Sequence, residues 1–272
     1  MVLAAIASRR IESAALGGPA CRLHASWQEL LADEALDGVV IVTPPSTHVA
    51  IARAAMARGL PVLIEKPLSL SVEEAETLCA DARRHRALAQ VDHIDLFSPR
   101  WRTVRRHLPS IGEVRSLEAV WANSGPLRQD TPARWDYGAH AIAATIALVG
   151  APPGDVRGAF ASRDGLREMF EAKLDWQQGT TATLLYGNAA TEKQRRLVVR
   201  GTRGTLVYDD VRGLANLDGQ PLPHSRQEPL IAAIVRFAAA IRCRRSDVAD
   251  LELGTDVVRT LARLDRAAGA AA

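Results

Sequence analysis

Two hydrophobic patterns run along the chain, and they change near residue 97. Before that point, short continuous apolar runs alternate with segments of helical spacing. The runs are VLAAIAS at 2–8, DGVVIVTP at 37–44, PVLI at 61–64 and ALAQVDH at 87–93. Unbroken apolar runs of this length predict strands covered on both faces, as in a parallel sheet. Between them, SWQELLAD at 26–33, STHVAIARAAMARGL at 46–60 and SVEEAETLCADARRH at 71–85 predict helices. Ser26 is a candidate N-cap for the first, and Gly59 closes the second. Ser71 with Glu74 makes a capping box at the start of the third. Strand–helix alternation with short connections predicts a doubly wound α/β domain over residues 1–96.

After residue 97 the pattern belongs to another architecture. GEVRSLEAVWA at 112–122 predicts a long strand, and YGAHAIAATIALVG at 137–150 a helix. DVRGAFAS, FEAKLDW, TTATLLYG, RRLVVRG and GTLVYDD follow, with polar residues alternating through much of their length. That alternation predicts a mostly antiparallel sheet with one solvated face. Two helical stretches, at 229–241 and about 255–268, close the chain. Residues 97–272 are therefore expected to form an α+β domain whose final helices pack back on the first.

Composition narrows the function classes. The 272 residues are 47% hydrophobic and 24% charged, as in a soluble globular protein. No apolar run reaches the ~18 residues of a membrane span, so no membrane partner is expected. The opening MVLAAIASRR lacks a basic segment before its apolar run and reads as a strand, not a signal. The net charge of +3 comes from scattered arginines, with short clusters at 83–86 and 242–245 that suit helix ends. Without interleaved aromatics or a binding motif they do not indicate nucleic acid. Cys21, Cys79 and Cys243 are isolated and lack ligand spacing, so neither disulfides nor a metal site is expected. A reducing, cytoplasmic location follows from the same observation.

In an open parallel sheet, ligands bind outside the carboxyl ends of the strands. Three strand ends here carry unusual residues: Ser8-Arg9-Arg10, Thr43-Pro44-Pro45-Ser46-Thr47-His48, and Glu65-Lys66-Pro67. Alone, Glu65 and Lys66 would be a solvated loop; at this edge they become candidates. Pro67 forces Lys66 out of helical conformation. A lysine held at a cleft can donate to a substrate hydroxyl and lower its pKa. Asp136 and His140 are four apart and share a helix face, so the histidine can take a proton that the aspartate orients. The alternative for that pair is an N-cap with a packed histidine. Asp92 and His93 end the fourth strand, either lining the cleft or serving as loop polar residues.

Together these stretches resemble the Gfo/Idh/MocA family of NAD(P)-dependent oxidoreductases. The matching pieces are VVIVTPPSTHVAIARAAMARGLPVLIEKPLS, WDYGAHAIAATIALVG and RGTRGTLVYDD, in family order. The resemblance implies hydride transfer between NADP or NAD and a hydroxyl or carbonyl carbon of a sugar, cyclitol or related polyol. It implies catalytic roles for Lys66, Asp136 and His140, with the histidine as acid/base. It places Ser8, Arg9, Thr43, Pro44, Pro45, His48, Glu65 and Lys66 beside the cofactor. Lys66, Asp92, Trp135, Asp136, Tyr137 and His140 are the expected substrate contacts, with Arg134 beside them. No acid stands after Ser8, and the arginines there favour NADP. A homo-oligomer is also implied.

One piece of the family pattern is missing. The chain opens at what corresponds to the second strand, without the strand, glycine-rich turn and helix that cradle a pyrophosphate. Gly17 and Gly18 match no such turn. The expected fold is therefore an N-terminally truncated Rossmann-type sheet, with the first strand lacking a partner on one side and weak dinucleotide binding. Two explanations remain: a complete dehydrogenase read from a misplaced start or as a fragment, or a degenerate, cofactor-deficient homologue that binds a sugar-like ligand or a partner.

Overall fold

The computed structural model describes residues 2–8, 17–33 and 35–270. Its first part contains five short parallel strands in two separate sheets. β1 (Ala5–Ala7) pairs with β2 (Arg22–His24), and β3 (Val39–Ile41), β4 (Val62–Glu65) and β5 (Ala89–Asp92) form the other sheet in that order. Among the described residues no ladder joins β1 to β3. The exposure pattern agrees with this split: Val40, in the middle of β3, is 53% exposed. Val2, Leu3 and Leu23 are exposed too. The sequence reading missed β2, whose polar RLH has neither the length nor the alternation of a strand.

Helices α1 (Trp27–Asp33), α2 (Pro45–Ala57) and α3 (Val72–Arg84) follow β2, β3 and β4. The first and third start where the predicted caps Ser26 and Ser71 place them, and the second starts one residue before the expected Ser46. At α3 the Ser71 hydroxyl accepts from the Glu74 N–H at 3.4 Å. The return half of the box runs through Ser69, whose hydroxyl donates to the Glu74 carboxylate at 2.7 Å and accepts from the Ser71 N–H at 3.0 Å. β4 is fully apolar and buried up to Glu65, and its register with β5 places Glu65 opposite Asp92.

The second part is an eight-stranded sheet with helices on one face. A 3₁₀ turn (Ile94–Phe97) and α4 (Pro99–His107), which the sequence reading did not assign, lead to β6 (Val114–Ser124). α5 (Ala133–Val149) begins a turn earlier than expected, behind Pro132, and ends at a left-handed Gly150. β7 (Asp155–Asp164), β8 (Arg167–Asp175), β9 (Thr181–Gly187), β10 (Ala189–Gly201), β11 (Thr205–Asp209), β12 (Leu214–Leu217) and β13 (Gln220–Pro221) complete the sheet. The order is β13-β12-β11-β10-β6-β9-β8-β7, antiparallel except for β6 with β9.

α6 (Pro229–Arg242) and α7 (Ala249–Ala267) end the chain. α7 packs against α3 and β5 on one side and against α5 and β7 on the other. Ion pairs Arg83–Glu252 and Arg259–Glu76 tie it to α3. Phe237 of α6 packs with Leu63 and Leu88. The long helix is thus shared by the two sheets.

A buried charge cluster fixes the start of α5. Arg134 pairs with Asp265 of α7 at 2.7 Å and with Glu168 of β8 at 3.2 Å. The Trp135 indole N–H also donates to Asp265, at 2.8 Å. Arg134 and Trp135 were expected to shape a substrate pocket. Both instead point into this junction, because the earlier helix start rotates them away from the face that carries Asp136 and His140. Removing the guanidinium leaves two buried carboxylates uncompensated, which costs roughly 3–5 kcal/mol. Arg134→Ala is expected to lower unfolding stability by that amount in urea titration.

Candidate active site

The site lies where the end of β4 meets the first turns of α5. Lys66 leaves β4 through a cis peptide bond to Pro67. Its ammonium group pairs with the Asp136 carboxylate and donates to the Asp136 main-chain oxygen at 3.2 Å. Both side chains are nearly shielded from solvent, at 14% and 11% exposure. Arg128 stands behind Asp136 at 3.8 Å while making a two-pronged pair with Asp130.

His48 braces this edge. Its Nε2 lies 2.8 Å from the Thr43 carbonyl and its Nδ1 3.0 Å from the Pro67 carbonyl. The ring thereby spans the ends of β3 and β4. Burial pulls the His48 pKa down, against the two carbonyl contacts that raise it. A neutral ring donates from one nitrogen only, so one contact is a hydrogen bond and the other a close approach. With both nitrogens occupied, His48 positions the edge; it was expected to touch the cofactor itself. Thr43 accepts from the Thr47 hydroxyl at 2.7 Å, Pro44 precedes α2, and Pro45 opens it. Ser8 donates its N–H to the His24 carbonyl at 3.2 Å, beyond the end of β1. Arg9 lies outside the described residues.

His140 sits one turn beyond Asp136 on the same face of α5. Gly138 lies between them, and a Cβ there would come within 2.8 Å of Leu261 and Tyr186, so only glycine lets the helix approach this closely. The carboxylate beside the histidine is Asp95, not Asp136. His140 Nδ1 is 3.0 Å from Asp95 Oδ2, off the line of the ring N–H, which leaves Nε2 for the cavity. Asp95 also accepts from the Trp121 indole at 3.0 Å and pairs with Arg195 at 3.2 Å. Burial pushes the Asp95 carboxyl up, but these partners outweigh it and hold the group well below the usual carboxylate range. Burial and the nearby Lys66 charge lower the His140 pKa, against the pull of Asp95. The balance favours the neutral imidazole.

A cavity of about 200 Å³ opens here. Lys66, Asp136, Tyr137 and His140 line it together with Lys193, Gln194 and Arg195 of β10. The Tyr137 hydroxyl donates to the Gly125 carbonyl. Asp92 does not reach this space. It lies opposite Glu65, one of its oxygens has no partner, and burial followed by the Glu65 charge pushes its pKa up to about 7. Burial likewise raises the Glu65 pKa, although its carboxylate accepts from the Lys66 N–H at 3.0 Å. His93 is fully buried with both ring nitrogens unpartnered, and burial lowers its pKa to about 3. Sequence reasoning missed Asp95, Arg128, Lys193 and Arg195. Asp95 stands only three residues past Asp92, but nothing in the pattern links either it or β10 to the cleft.

The described residues fit one end of a dinucleotide. Thr43, Pro44 and Pro45 at the start of α2, with Glu65 and Lys66, line the carboxyl edge where a nicotinamide ribose would lie against the cavity. The pyrophosphate cradle is not among them. Of the glycines before residue 96, Gly17 and Gly18 precede β2, Gly38 precedes β3, and Gly59 follows α2. None stands at a strand-to-helix turn.

A parallel sheet presenting Lys66 at its carboxyl edge, with a buried histidine delivered from an α+β domain, is the layout of a dinucleotide-dependent oxidoreductase. Residues 2–93 match the model of the oxidoreductase family with an NAD-binding Rossmann fold, and residues 101–207 match the GFO/IDH/MocA C-terminal domain. The chain belongs to the Gfo/Idh/MocA family of NAD(P)-dependent oxidoreductases. It is 35% identical to a UDP-N-acetylglucosamine 3-dehydrogenase of Acidithiobacillus ferrooxidans over 88% of this chain and 80% of that protein. It is 25% identical to an NADP(+)-dependent scyllo-inositol 2-dehydrogenase of Bacillus subtilis, over 68% of this chain and 54% of that protein. The crystal structure of an oxidoreductase from Magnetospirillum magnetotacticum MS-1 superposes with a TM-score of 0.89. It has 32% identity and covers 96% of this chain and 91% of that one.

The charge arrangement around His140 has a direct kinetic consequence. Because its pKa is lowered, alcohol oxidation is expected to stay level through neutral pH and to fall only in acid, as the ring protonates. Asp95→Asn removes the charge that opposes this lowering. The acid limb of the kcat/KM profile should move to lower pH, with kcat down about 100-fold as the imidazolium loses its countercharge. An unmoved limb would show that Asp95 does not act on His140.

Proposed function

We propose that the protein transfers a hydride between NADP or NAD and a CH–OH carbon of a sugar, cyclitol or related polyol. The observation that carries this reading is the convergence of Lys66 and His140 on one cavity. They come from different domains and stand 74 positions apart. The names of the A. ferrooxidans and B. subtilis relatives, a sugar-nucleotide and an inositol dehydrogenase, support the substrate class.

When bound, the dinucleotide supplies the hydride acceptor or donor at its nicotinamide ring. The protein manages the proton. In the oxidising direction Lys66 donates a hydrogen bond to the substrate hydroxyl oxygen and stabilises the charge that develops there. His140 takes the hydroxyl proton at Nε2, while Asp95 stabilises the imidazolium that forms. Asp136 holds the Lys66 ammonium in place. In the reducing direction His140 returns the proton to the carbonyl oxygen. Thr43, Pro44, Pro45 and Glu65 border the nicotinamide end, and Tyr137 borders the substrate.

The arginines after Ser8 and the NADP(+)-dependent relative favour NADP. The solvated face of the eight-stranded sheet, where Arg200 pairs with Glu118, is proposed as a self-association surface. Free Cys21, Cys79 and Cys243 suit a reducing cytoplasm, and among the described residues no helix is long and apolar enough to cross a membrane. The separation of β1–β2 from β3–β5 favours a second reading, a sugar-binding protein without redox activity. A screen of sugars, sugar nucleotides and inositols with each cofactor, followed by reduced-nicotinamide absorbance, separates the two. Turnover of one such substrate is expected, and Lys66→Ala should cost roughly 10²- to 10⁴-fold in kcat. Binding without turnover would support the second reading, and normal turnover by Lys66→Ala would remove the lysine from catalysis.

A further inference from the structure

Part of the cavity lining comes from an irregular strand. β10 pairs with β6 in regular register from Gln194↔Ala122 to Arg200↔Ser116, and again at Ala189↔Ser124. Between those points β6 contributes only Asn123, whereas β10 contributes Ala190, Thr191, Glu192 and Lys193. The extra residues form a wide bulge. Lys193 is the last residue of the bulge, and Gln194 and Arg195 follow it. All three line the cavity. Irregularities of this kind are common beside active sites.

Charge pairing shows what the bulge adds. Lys66 is matched by Asp136, and Arg195 by Asp95. Arg128 is matched by Asp130 as it approaches Asp136. Lys193 is exposed and makes no hydrogen bond or ion pair among the described residues. It is therefore the surplus cation of a site whose other charges are matched. It lines the same cavity as the lysine that would hold the reacting hydroxyl.

We infer that Lys193 reads an anionic oxygen group, phosphoryl or carboxylate, on the substrate, and that the preferred substrates are anionic sugars rather than neutral ones. This rests on the proposed sugar-oxidoreductase reading of the same cavity and adds its selectivity. The group binds away from the reacting carbon, so Lys193 acts on affinity and not on the chemical step.

The test uses a hexose 1-phosphate, a hexuronate and the neutral methyl hexoside, each measured by calorimetric binding and by turnover with NADP and NAD. Wild-type protein is expected to favour at least one anionic ligand, and added salt should weaken that preference. A charge-assisted contact corresponds to roughly 10- to 100-fold in affinity. Lys193→Ala should lose that factor in affinity for the anionic ligand and much less for the neutral sugar, with the loss carried by affinity and KM more than by kcat. Lys193→Arg should restore most of it. Equal binding of charged and neutral sugars, no binding of either anion, or equal losses for both on substitution would overturn the inference. Turnover without anion preference would do so while leaving the oxidoreductase reading intact. Anion binding that depends on Lys193 but gives no turnover would sustain the inference and count against redox catalysis.

Discussion

The contact between Lys66 and Asp136 is the constraint on which the site depends. One partner ends a buried parallel strand and the other opens the long helix of the second domain, 70 positions away. Each is almost enclosed, so neither is stable there alone: an unpaired charge at such a place costs several kcal/mol. The pair is satisfied only when the two domains are docked in one arrangement. That arrangement also brings His140, a turn further along α5, to the same cavity. Docking and assembly of the candidate catalytic groups are thus one event.

Several features elsewhere hold this arrangement. His48 spans the ends of β3 and β4, limiting how Lys66 leaves its strand. Arg134 clamps the start of α5 to β8 and α7, and Gly138 lets the helix lie close against Tyr186 and Leu261. Asp95 gathers Trp121, Arg195 and His140 around one ionised carboxylate. Its charge is what allows a buried imidazole to accept a proton during reaction without stranding an isolated cation.

The parts of this layout legible in the sequence were those governed by short-range rules. Apolar runs located β1, β3, β4 and β5, capping chemistry located α1 and α3, and alternation separated the second sheet from the first. The Lys66 and His140 assignments came from motifs tied to strand and helix ends. What could not be read depended on rotation and long-range pairing. A helix start one turn early moved Arg134 and Trp135 from the expected pocket into a buried ion cluster. Asp136 pairs with Lys66, and the carboxylate beside His140 is Asp95, whose segment carries no periodic signal. The bulge of β10 is set by its register with β6, which pairs residues about 70 positions apart. The gap between β1 and β3 is where the lack of a glycine-rich turn in the sequence and the divided parallel sheet meet.

A double-mutant cycle between Lys66 and His140, read as kcat/KM on a turned-over sugar, tests the central claim most directly. If the two groups handle one hydroxyl together, Lys66→Ala with His140→Ala should lose little more than the worse single variant. Losses that multiply, each substitution acting as though the other residue were untouched, would contradict a shared site.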